Sequence, residues 1–167
     1  MAIFIVLSAF LLGSVIYDFI SHRLPNLYLL LGLLVALILQ AWLGGWAGII
    51  SGGTGFLAAF LLFIPFYALG GMAAGDVKLM AVVGSFLGAS GALEAGVYTL
   101  LAGGLLGILY LVYRGQFGRF LSRYWAMASL HTYIPAQVND PARHRFPYAI
   151  AVFTGTLISL FWQPFGP

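Results

Sequence analysis

Six apolar runs, most of them as long as a membrane-crossing helix, follow one another along the chain. A helix needs about 20 apolar residues to cross the hydrocarbon core of a bilayer. Only 7% of the residues are charged, whereas soluble domains carry roughly 25%, so a water-soluble fold could not bury this much apolar surface. The sequence therefore predicts an all-α, polytopic membrane protein with a single domain over residues 1–167. The transmembrane helices are expected to be about six in number and to cover residues 2–20, 26–44, 46–69, 76–91, 92–113 and 146–164.

The basic residues indicate how these helices are oriented in the membrane. Arg23 lies between the first and second runs, Lys78 lies at the start of the fourth, and the other five basic residues lie between the fifth and sixth runs. All seven therefore fall on one side of the predicted membrane. The positive-inside rule makes that side cytoplasmic, so we expect both termini on the non-cytoplasmic side.

The longest polar segment, residues 114–145, is basic and partly amphipathic. Its apolar residues recur at helical spacing, and Arg119 and Arg123 lie off that stripe. This pattern is typical of a helix that lies in the membrane interface, and it favours anchoring of a cytoplasmic loop to anionic lipid over docking of a substrate. In a membrane protein, basic loops more often report topology than nucleic-acid binding. The lipid bilayer is therefore an expected partner, and nucleic acid is not.

Residues typical of metal and cofactor sites are scarce. The chain has no cysteine, and its three histidines, His22, His131 and His144, are scattered. A serine or cysteine nucleophile would need a neighbouring histidine or lysine as its base, and none is evident in the apolar runs. We predict neither a metal site nor a cofactor.

Two aspartates stand out in so apolar a chain, because Asp18 ends the first run and Asp76 opens the fourth. Both are expected at the cytoplasmic edge of the membrane. Two carboxyl groups that meet in a partly dry site share one proton, which supplies a general acid and a general base around one water. Taken singly, Asp76 is also a good helix cap, and Asp18 is also explained as a solvated carboxylate. The sequence places the two at the same depth on the same side.

The residues around these aspartates resemble the type IV prepilin peptidases, membrane aspartyl proteases of the GxGD class. That family has an aspartate at the end of its first helix, before a basic stretch and a Pro-Asn pair, as in DFISHRLPN, residues 18–26. A second aspartate follows a glycine-rich turn and precedes Val-Lys-Leu, as in GGMAAGDVKL, residues 70–79. A Pro-Tyr pair comes near the end, as in FPYAI, residues 146–150. The order and spacing of the three motifs match over nearly the whole chain.

The resemblance implies an endopeptidase that removes the short basic leader from prepilin-like precursors, at the cytoplasmic face of the bacterial inner membrane. Asp18 and Asp76 would be the catalytic pair, and Gly75 would shape the turn that presents Asp76. The remaining motif residues would have supporting roles; they are Pro25, Asn26, Lys78, Pro147 and Tyr148. The resemblance does not specify an oligomeric state.

Two features distinguish this chain within the family that it resembles. Larger, bifunctional members carry a cytoplasmic domain between the first two helices, often with a cysteine-rich zinc site, and also N-methylate the new terminus. Here Asp18 and Pro25 are only seven positions apart. The chain is therefore similar to the short, peptidase-only branch that serves tight-adherence (Flp-type) pili, and N-methyltransferase activity is not expected. The second feature is Ala73, which stands at the first glycine of GxGD and would be strained if that position needed a positive φ.

Two alternative functions are compatible with the same residues. A small proton-coupled transporter would also use intramembrane carboxylates, but it would have charges near the midplane and matching broken helices in two halves. An inactive or scaffold relative in pilus assembly would need Asp76 only as a helix cap, and Ala73 is the residue that favours this alternative. The position of both aspartates at the membrane edge favours the peptidase.

Overall fold

The computed structural model describes residues 2–21, 24–113, 115, 118, 122 and 148–162. These residues form four helices, which are α1 (Ala2–Ser21), α2 (Asn26–Ala68), α3 (Ala74–Tyr113) and α4 (Tyr148–Phe161). The first three are long and apolar enough to cross a membrane, and α4 is a shorter apolar helix. The protein is thus an all-α membrane protein, as its composition predicts. The interfacial helix predicted within residues 114–145 lies, apart from three single residues, outside the described part of the chain.

Helix α2 doubles back on itself at a single glycine. Gly45 has φ 57° and ψ −137°, a conformation that glycine adopts readily because it has no Cβ. A Cβ placed on Gly52 would lie 3.2 Å from Leu37 Cδ2, although a straight helix would separate these residues by about 22 Å. Residues 26–44 (arm α2a) and residues 46–68 (arm α2b) therefore form an antiparallel helical hairpin.

Helix α3 has the same construction, with its reversal at Gly88. The φ of Gly88 is 74° and its ψ is 179°. The Thr99 hydroxyl lies 3.8 Å from Sδ of Met80, whereas a straight helix would separate these residues by about 28 Å. Residues 74–87 (arm α3a) and residues 89–113 (arm α3b) therefore form a second antiparallel hairpin.

Gln40 of α2a stabilises the end of α3a at this reversal. Carbonyl groups in the last turn of a helix lack partners inside that helix, and the bilayer core offers no water to replace them. The side-chain Nε2 of Gln40 donates to the carbonyl oxygens of Ser85 and Phe86, at 3.3 and 3.0 Å. A polar residue within an apolar run thus supplies hydrogen bonds that the reversal of α3 requires.

The described residues contain six helical segments in the predicted order, namely α1, α2a, α2b, α3a, α3b and α4. The predicted boundary at residues 44–46 coincides with the reversal at Gly45. The predicted boundary between residues 91 and 92 differs from the structure, because the chain reverses three residues earlier, at Gly88. Hydrophobicity does not mark this position, since both sides of Gly88 are apolar. The reversal depends on a positive φ, which Gly88 adopts and Gly91 does not.

The two hairpins pack together through glycine backbones. Gly55 of α2b and Gly84 of α3a face each other so closely that a Cβ on either residue would collide with the carbonyl oxygen of the other. Helix α4 approaches α3b in a similar way, with Gly155 against the backbone of Thr99. In lipid, helices associate through such close van der Waals contacts, because no hydrophobic force drives them together. Helix α3 therefore packs against both α2 and α4.

Apolar side chains of all four helices meet in the interior, and many others face outward. The fully buried members of the core include Leu7, Leu11, Phe63, Leu79, Met80, Val83 and Val152.

Three tryptophans are exposed at one end of the bundle, beside the reversal of α2 and after the end of α4; they are Trp42, Trp46 and Trp162. Tryptophan is enriched at membrane–water interfaces. Both the apolar exterior and the position of these tryptophans are typical of a lipid-embedded bundle.

We expect Gly84→Ala to destabilise the protein by about 1–3 kcal/mol, the usual cost of overpacking an interior contact. The added methyl group would meet the Gly55 carbonyl oxygen, which belongs to a helix backbone and cannot move aside. Gly104→Ala is the matched control, because no atom lies within 4 Å of a Cβ at that position of α3b. Thermal unfolding of both variants in one detergent, followed by circular dichroism, measures the difference. Equal midpoints for the two variants would contradict the packing described here.

Candidate active site

Asp18 lies on the buried face of α1, near the end of that helix. It continues a stripe at helical spacing, in which Leu7, Leu11 and Ser14 are fully buried and Asp18 is only 8% exposed. A buried carboxylate needs hydrogen-bond partners, and the N–H of Ala149 donates to Asp18 Oδ2 at 3.3 Å. An N–H in the first turn of a helix has no partner within that helix, and the positive end of the helix dipole favours an acidic group. The start of α4 thus helps to hold Asp18.

Asp76 lies in the first turn of α3. The turn before α3 contains one left-handed glycine, Gly70, with φ 74°, and the N–H of Gly71 donates to the carbonyl oxygen of Phe66 at 2.8 Å. The Oδ2 atom of Asp76 accepts the N–H of Ala73, the residue before the helix, at 3.3 Å. This is one half of a capping box. The sequence predicts Asp76 as the cap residue itself, but α3 begins two residues earlier, at Ala74, and Asp76 reaches back to the residue before the helix.

The fold places the two carboxyl groups within electrostatic range of each other. Asp76 is close enough to Asp18 for their charges to interact, and the pair lies where the end of α1 meets the starts of α3 and α4. In a partly dry site, two neighbouring carboxyl groups favour a state in which one is ionised and the other protonated. Such a pair can act as a general acid and a general base toward one water. Within residues 2–21, 24–113 and 148–162, no three His, Cys, Asp or Glu side chains form a cluster that could hold a metal ion.

Three further motif residues connect the start of α2 with the start of α3. Pro25 has an extended backbone, with φ −63° and ψ 134°, and directly precedes α2. Asn26 opens α2, and its Oδ1 atom accepts a hydrogen bond from Lys78 Nζ at 3.0 Å. Lys78 is otherwise exposed. This contact connects the segment that follows Asp18 to the helix that carries Asp76.

Gly75 and Ala73 lie on either side of the point where α3 begins. Gly75 is inside α3, and a Cβ there would make an ordinary contact of 3.9 Å with Leu24 Cβ. Ala73 acts through its backbone, since its carbonyl oxygen accepts the N–H groups of Asp76 and Val77 at 3.1 and 3.5 Å. The side chain of Ala73 is exposed, so its methyl group has room. The left-handed conformation of the turn is found at Gly70.

Tyr148 opens α4 beside the two carboxyl groups. Its hydroxyl is close enough to Asp76 to interact with that side chain electrostatically. Its ring packs on Gly103 of α3b, where a Cβ would lie 2.6 Å from Tyr148 Cε2. The motif residue before it, Pro147, is outside the described residues.

Two contacts that support the site do not follow from the sequence motifs. The first involves Tyr28, whose hydroxyl donates to the Phe10 carbonyl oxygen at 2.6 Å and whose ring stacks on Phe10 at 4.9 Å between centroids. Gly13 makes room for this hydroxyl, because a Cβ there would collide with it. The sequence indicates this contact only by placing a tyrosine in an apolar helix, where a hydroxyl that is removed from water needs a hydrogen-bond partner. The second is the N–H of Ala149, a backbone donor that no side-chain pattern indicates.

Comparison with known proteins gives one match. The sequence model of the type IV leader peptidase family matches residues 5–112, which is more than half of the 167 residues. The matched segment contains both aspartates and ends before α4. No curated protein and no solved structure matches the chain. The resemblance seen in the sequence motifs is thereby confirmed.

We expect Tyr28→Phe to lower the free energy of unfolding by about 1 kcal/mol. The change removes the hydroxyl of α2 that donates a hydrogen bond to α1, and it keeps the stacked ring. The cost stays small because the Phe10 carbonyl oxygen retains a hydrogen bond from Ser14 Oγ at 3.0 Å. Tyr67→Phe, at a position of α2 that is 49% exposed, should leave stability unchanged. Thermal unfolding in one detergent tests the pair, and an unaltered midpoint for Tyr28→Phe would refute this role.

Proposed function

Because the chain belongs to the type IV leader peptidase family, we propose that it is an aspartyl endopeptidase that removes the leader peptide from prepilin-like precursors. Membership makes the chain a peptidase. The observation that carries the more specific proposal is that Asp76 lies within electrostatic range of Asp18, which is itself buried. These two side chains are the catalytic pair. Asp18 lies near the end of α1 and Asp76 lies in the first turn of α3, so the packing of these helices fixes where both side chains begin.

In the proposed reaction, the two carboxyl groups share one proton and bind one water between them. The ionised carboxylate takes a proton from the water as the water oxygen bonds to the scissile carbonyl carbon. The protonated carboxyl donates its proton to the carbonyl oxygen. When the C–N bond breaks, that oxygen returns its proton and the leaving nitrogen gains one. The products are the leader with a new carboxyl group and the mature protein with a new amino terminus, and the pair again holds one proton.

We propose that the six helical segments each cross the bacterial inner membrane, with both termini on the non-cytoplasmic side. Arm α2a, residues 26–44, is about 28 Å long, close to the thickness of the hydrocarbon core of about 30 Å. Arm α3a and helix α4 are shorter, about 21 Å each, and would cross with the help of the residues that flank them. In the topology that the sequence predicts, the basic residues all fall on the side that carries the aspartates, and the positive-inside rule makes that side cytoplasmic. The site would then face the cytoplasm at the membrane edge. There it would meet a short basic leader while the apolar segment of the precursor stays in the bilayer.

The connection between α1 and α2 supports a peptidase without a second activity. Helix α1 ends at Ser21 and α2 begins at Asn26, which leaves no room for an inserted cytoplasmic domain. We therefore place the chain with the peptidase-only enzymes of tight-adherence (Flp-type) pili and expect no N-methyltransferase activity. Anionic lipid is the proposed partner of residues 114–145.

We expect Asp18→Asn and Asp76→Asn each to abolish removal of the leader. Asparagine keeps the size and the acceptor oxygen of aspartate, so the contacts with the N–H groups of Ala149 and Ala73 can persist. It cannot take or give the shared proton. Cleavage of a co-expressed, epitope-tagged prepilin-like precursor is followed by immunoblot, and membrane fractions confirm insertion of each variant. Glu94→Gln, which changes an acid to an amide elsewhere on α3, is the control and should cleave normally.

One observation favours the alternative of an inactive scaffold, namely the capping contact between Asp76 and the N–H of Ala73. Asp76→Asn keeps the oxygen that accepts this N–H but loses the acid. The peptidase proposal expects Asp76→Asn to insert normally and cleave nothing. Restoration of pilus assembly by Asp76→Asn without cleavage would favour the scaffold. Normal processing by either asparagine variant would also refute the proposed mechanism.

The shared proton predicts a bell-shaped dependence of kcat/KM on pH. At low pH both carboxyl groups are protonated and no base is available; at high pH both are ionised and no acid is available. The two apparent pKa values would belong to the pair rather than to either residue. The profile is measured by the rate of cleavage of a synthetic peptide that spans the leader and the first apolar residues. The pH dependence of kcat/KM reflects the ionisation of the acid and the base in the free enzyme. A flat profile from mildly acidic to neutral pH would count against a carboxyl pair.

A further inference from the structure

We propose that Lys78 and Asn26 are positioning residues of the candidate active site, because their hydrogen bond fastens the segment that follows Asp18 to the helix that carries Asp76. This inference rests on the proposed function, since it assigns a role at the same site. Both residues act through the two aspartates, and the reaction steps stay as described above. The fold creates this contact, since the two residues are 52 positions apart in the sequence.

Helices α1 and α3 carry the two aspartates but make little direct backbone contact with each other. Helix α1 packs mainly against α4, and α3 packs mainly against α2. Direct packing of α1 on α3 therefore does little to hold the end of α1 beside the start of α3. Other contacts must fix the separation of Asp18 and Asp76, and the hydrogen bond from the Ala149 N–H to Asp18 is one of them.

The segment between α1 and α2 lies against the start of α3 at two points, which flank Asp76 in the sequence. On one side, a Cβ on Gly75 would contact Leu24 Cβ at 3.9 Å. On the other side, Lys78 Nζ donates to Asn26 Oδ1 at 3.0 Å. The segment is thus held to the same helical turn that carries the second aspartate.

The covalent chain passes this restraint on to Asp18. Ser21 ends α1 and Leu24 follows three positions later, so their Cα atoms lie at most about 11 Å apart. Pro25 stiffens the segment, because its ring fixes its φ, which is −63°. Asp18 lies within α1, about one turn before the end of that helix. A segment held at Leu24 and Asn26 therefore limits how far Asp18 can move away from α3.

A second polar contact holds the opposite ends of the same two helical arms. Gln40 of α2a donates to the carbonyl oxygens of Ser85 and Phe86 in α3a. Asn26 and Gln40 are about 21 Å apart along α2a. Contacts at both ends restrict pivoting and sliding of one arm on the other. The hydrogen bond between Lys78 and Asn26 is the one that lies at the candidate site.

The contribution of this hydrogen bond is to geometry more than to stability. Both side chains are exposed, and water competes for hydrogen bonds of this kind, so the net gain in stability is small. Asn26 is not the cap of α2, because the N-cap residue is Pro25. Loss of either side chain should therefore leave the helices intact. The reaction rate is more sensitive, since a displacement of about 1 Å can lower it by about 100-fold.

The test uses the full-length protein in lipid nanodiscs and the synthetic leader peptide as substrate. We expect Lys78→Met, which keeps a long side chain but removes the donor, to lower kcat by roughly 10-fold. KM should stay unchanged, because the proposed contact is within the protein. Asn26→Ala removes the acceptor and should lower kcat to a similar extent. Glu94→Gln, which removes a charge elsewhere on α3, is the control and should behave as the wild type.

Conservative variants and a double-mutant cycle separate positioning from other roles. Lys78→Arg retains a donor and Asn26→Asp retains an acceptor, so each should lose much less kcat than the variant that removes the group. In the Asn26→Ala background, Lys78→Met should have little further effect, because the same hydrogen bond cannot be lost twice. Additive losses would overturn the inference, since Lys78 would then act independently of Asn26.

Two other results would also overturn the inference. They are a wild-type kcat for Lys78→Met and a raised KM with kcat unchanged, which would indicate contact with the substrate. Thermal unfolding in nanodiscs shows whether each variant is folded, and if Lys78→Met is not, the comparison of Asn26→Ala with Asn26→Asp decides the question. Failure of this inference is distinguishable from failure of the proposed function. Only in the latter case would the wild type leave the peptide uncleaved or Asp18→Asn cleave it.

Discussion

The backbone contact between Gly55 and Gly84 fixes the position of α3, on which most of the structure depends. In lipid, helices gain little from hydrophobicity when they meet, so close backbone packing must supply the association. This contact aligns α2b with α3a, and the reversal at Gly88 then places α3b where Gly155 of α4 can approach Thr99. The start of α4 in turn reaches Asp18. The candidate site is therefore a consequence of helix packing that begins at two glycines.

The site is assembled from helix ends, and the membrane gives a physical reason. Ionisable groups inside the hydrocarbon core are costly, and the cost falls toward the interface. The ends of helices also offer N–H groups that lack partners within their own helix. Asp18 uses one such donor from α4, and Asp76 uses the N–H of Ala73 before α3. Acidic side chains and unpaired backbone donors are thus available at the same depth.

The capping and catalytic interpretations of Asp76 are compatible with each other. A carboxylate can accept the N–H of Ala73 with one oxygen and still exchange a proton through the other. The contact with Ala73 orients the side chain, and the electrostatic interaction with Asp18 is what the proposed acid–base role requires. Ala73 takes part through its backbone and points its methyl group outward. An alanine at the first position of the GxGD motif thus leaves the observed capping contact intact.

The sequence by itself determined the membrane class, the helical content and the reversal at Gly45. These features depend on the length of each apolar run and on the glycines between runs, which act on the conformation of a few neighbouring residues. The motifs also identified the family, since Asp18, Asp76 and the residues beside them carry its pattern. Only the tertiary structure decided that the two aspartates lie within electrostatic range of each other, that Ala149 supplies a backbone donor, and that the second reversal falls at Gly88. These features depend on contacts between distant segments, such as the 131 positions that separate Asp18 from Ala149. The packing of the whole bundle decides which distant segments of backbone come close to each other. A local sequence pattern does not contain this information.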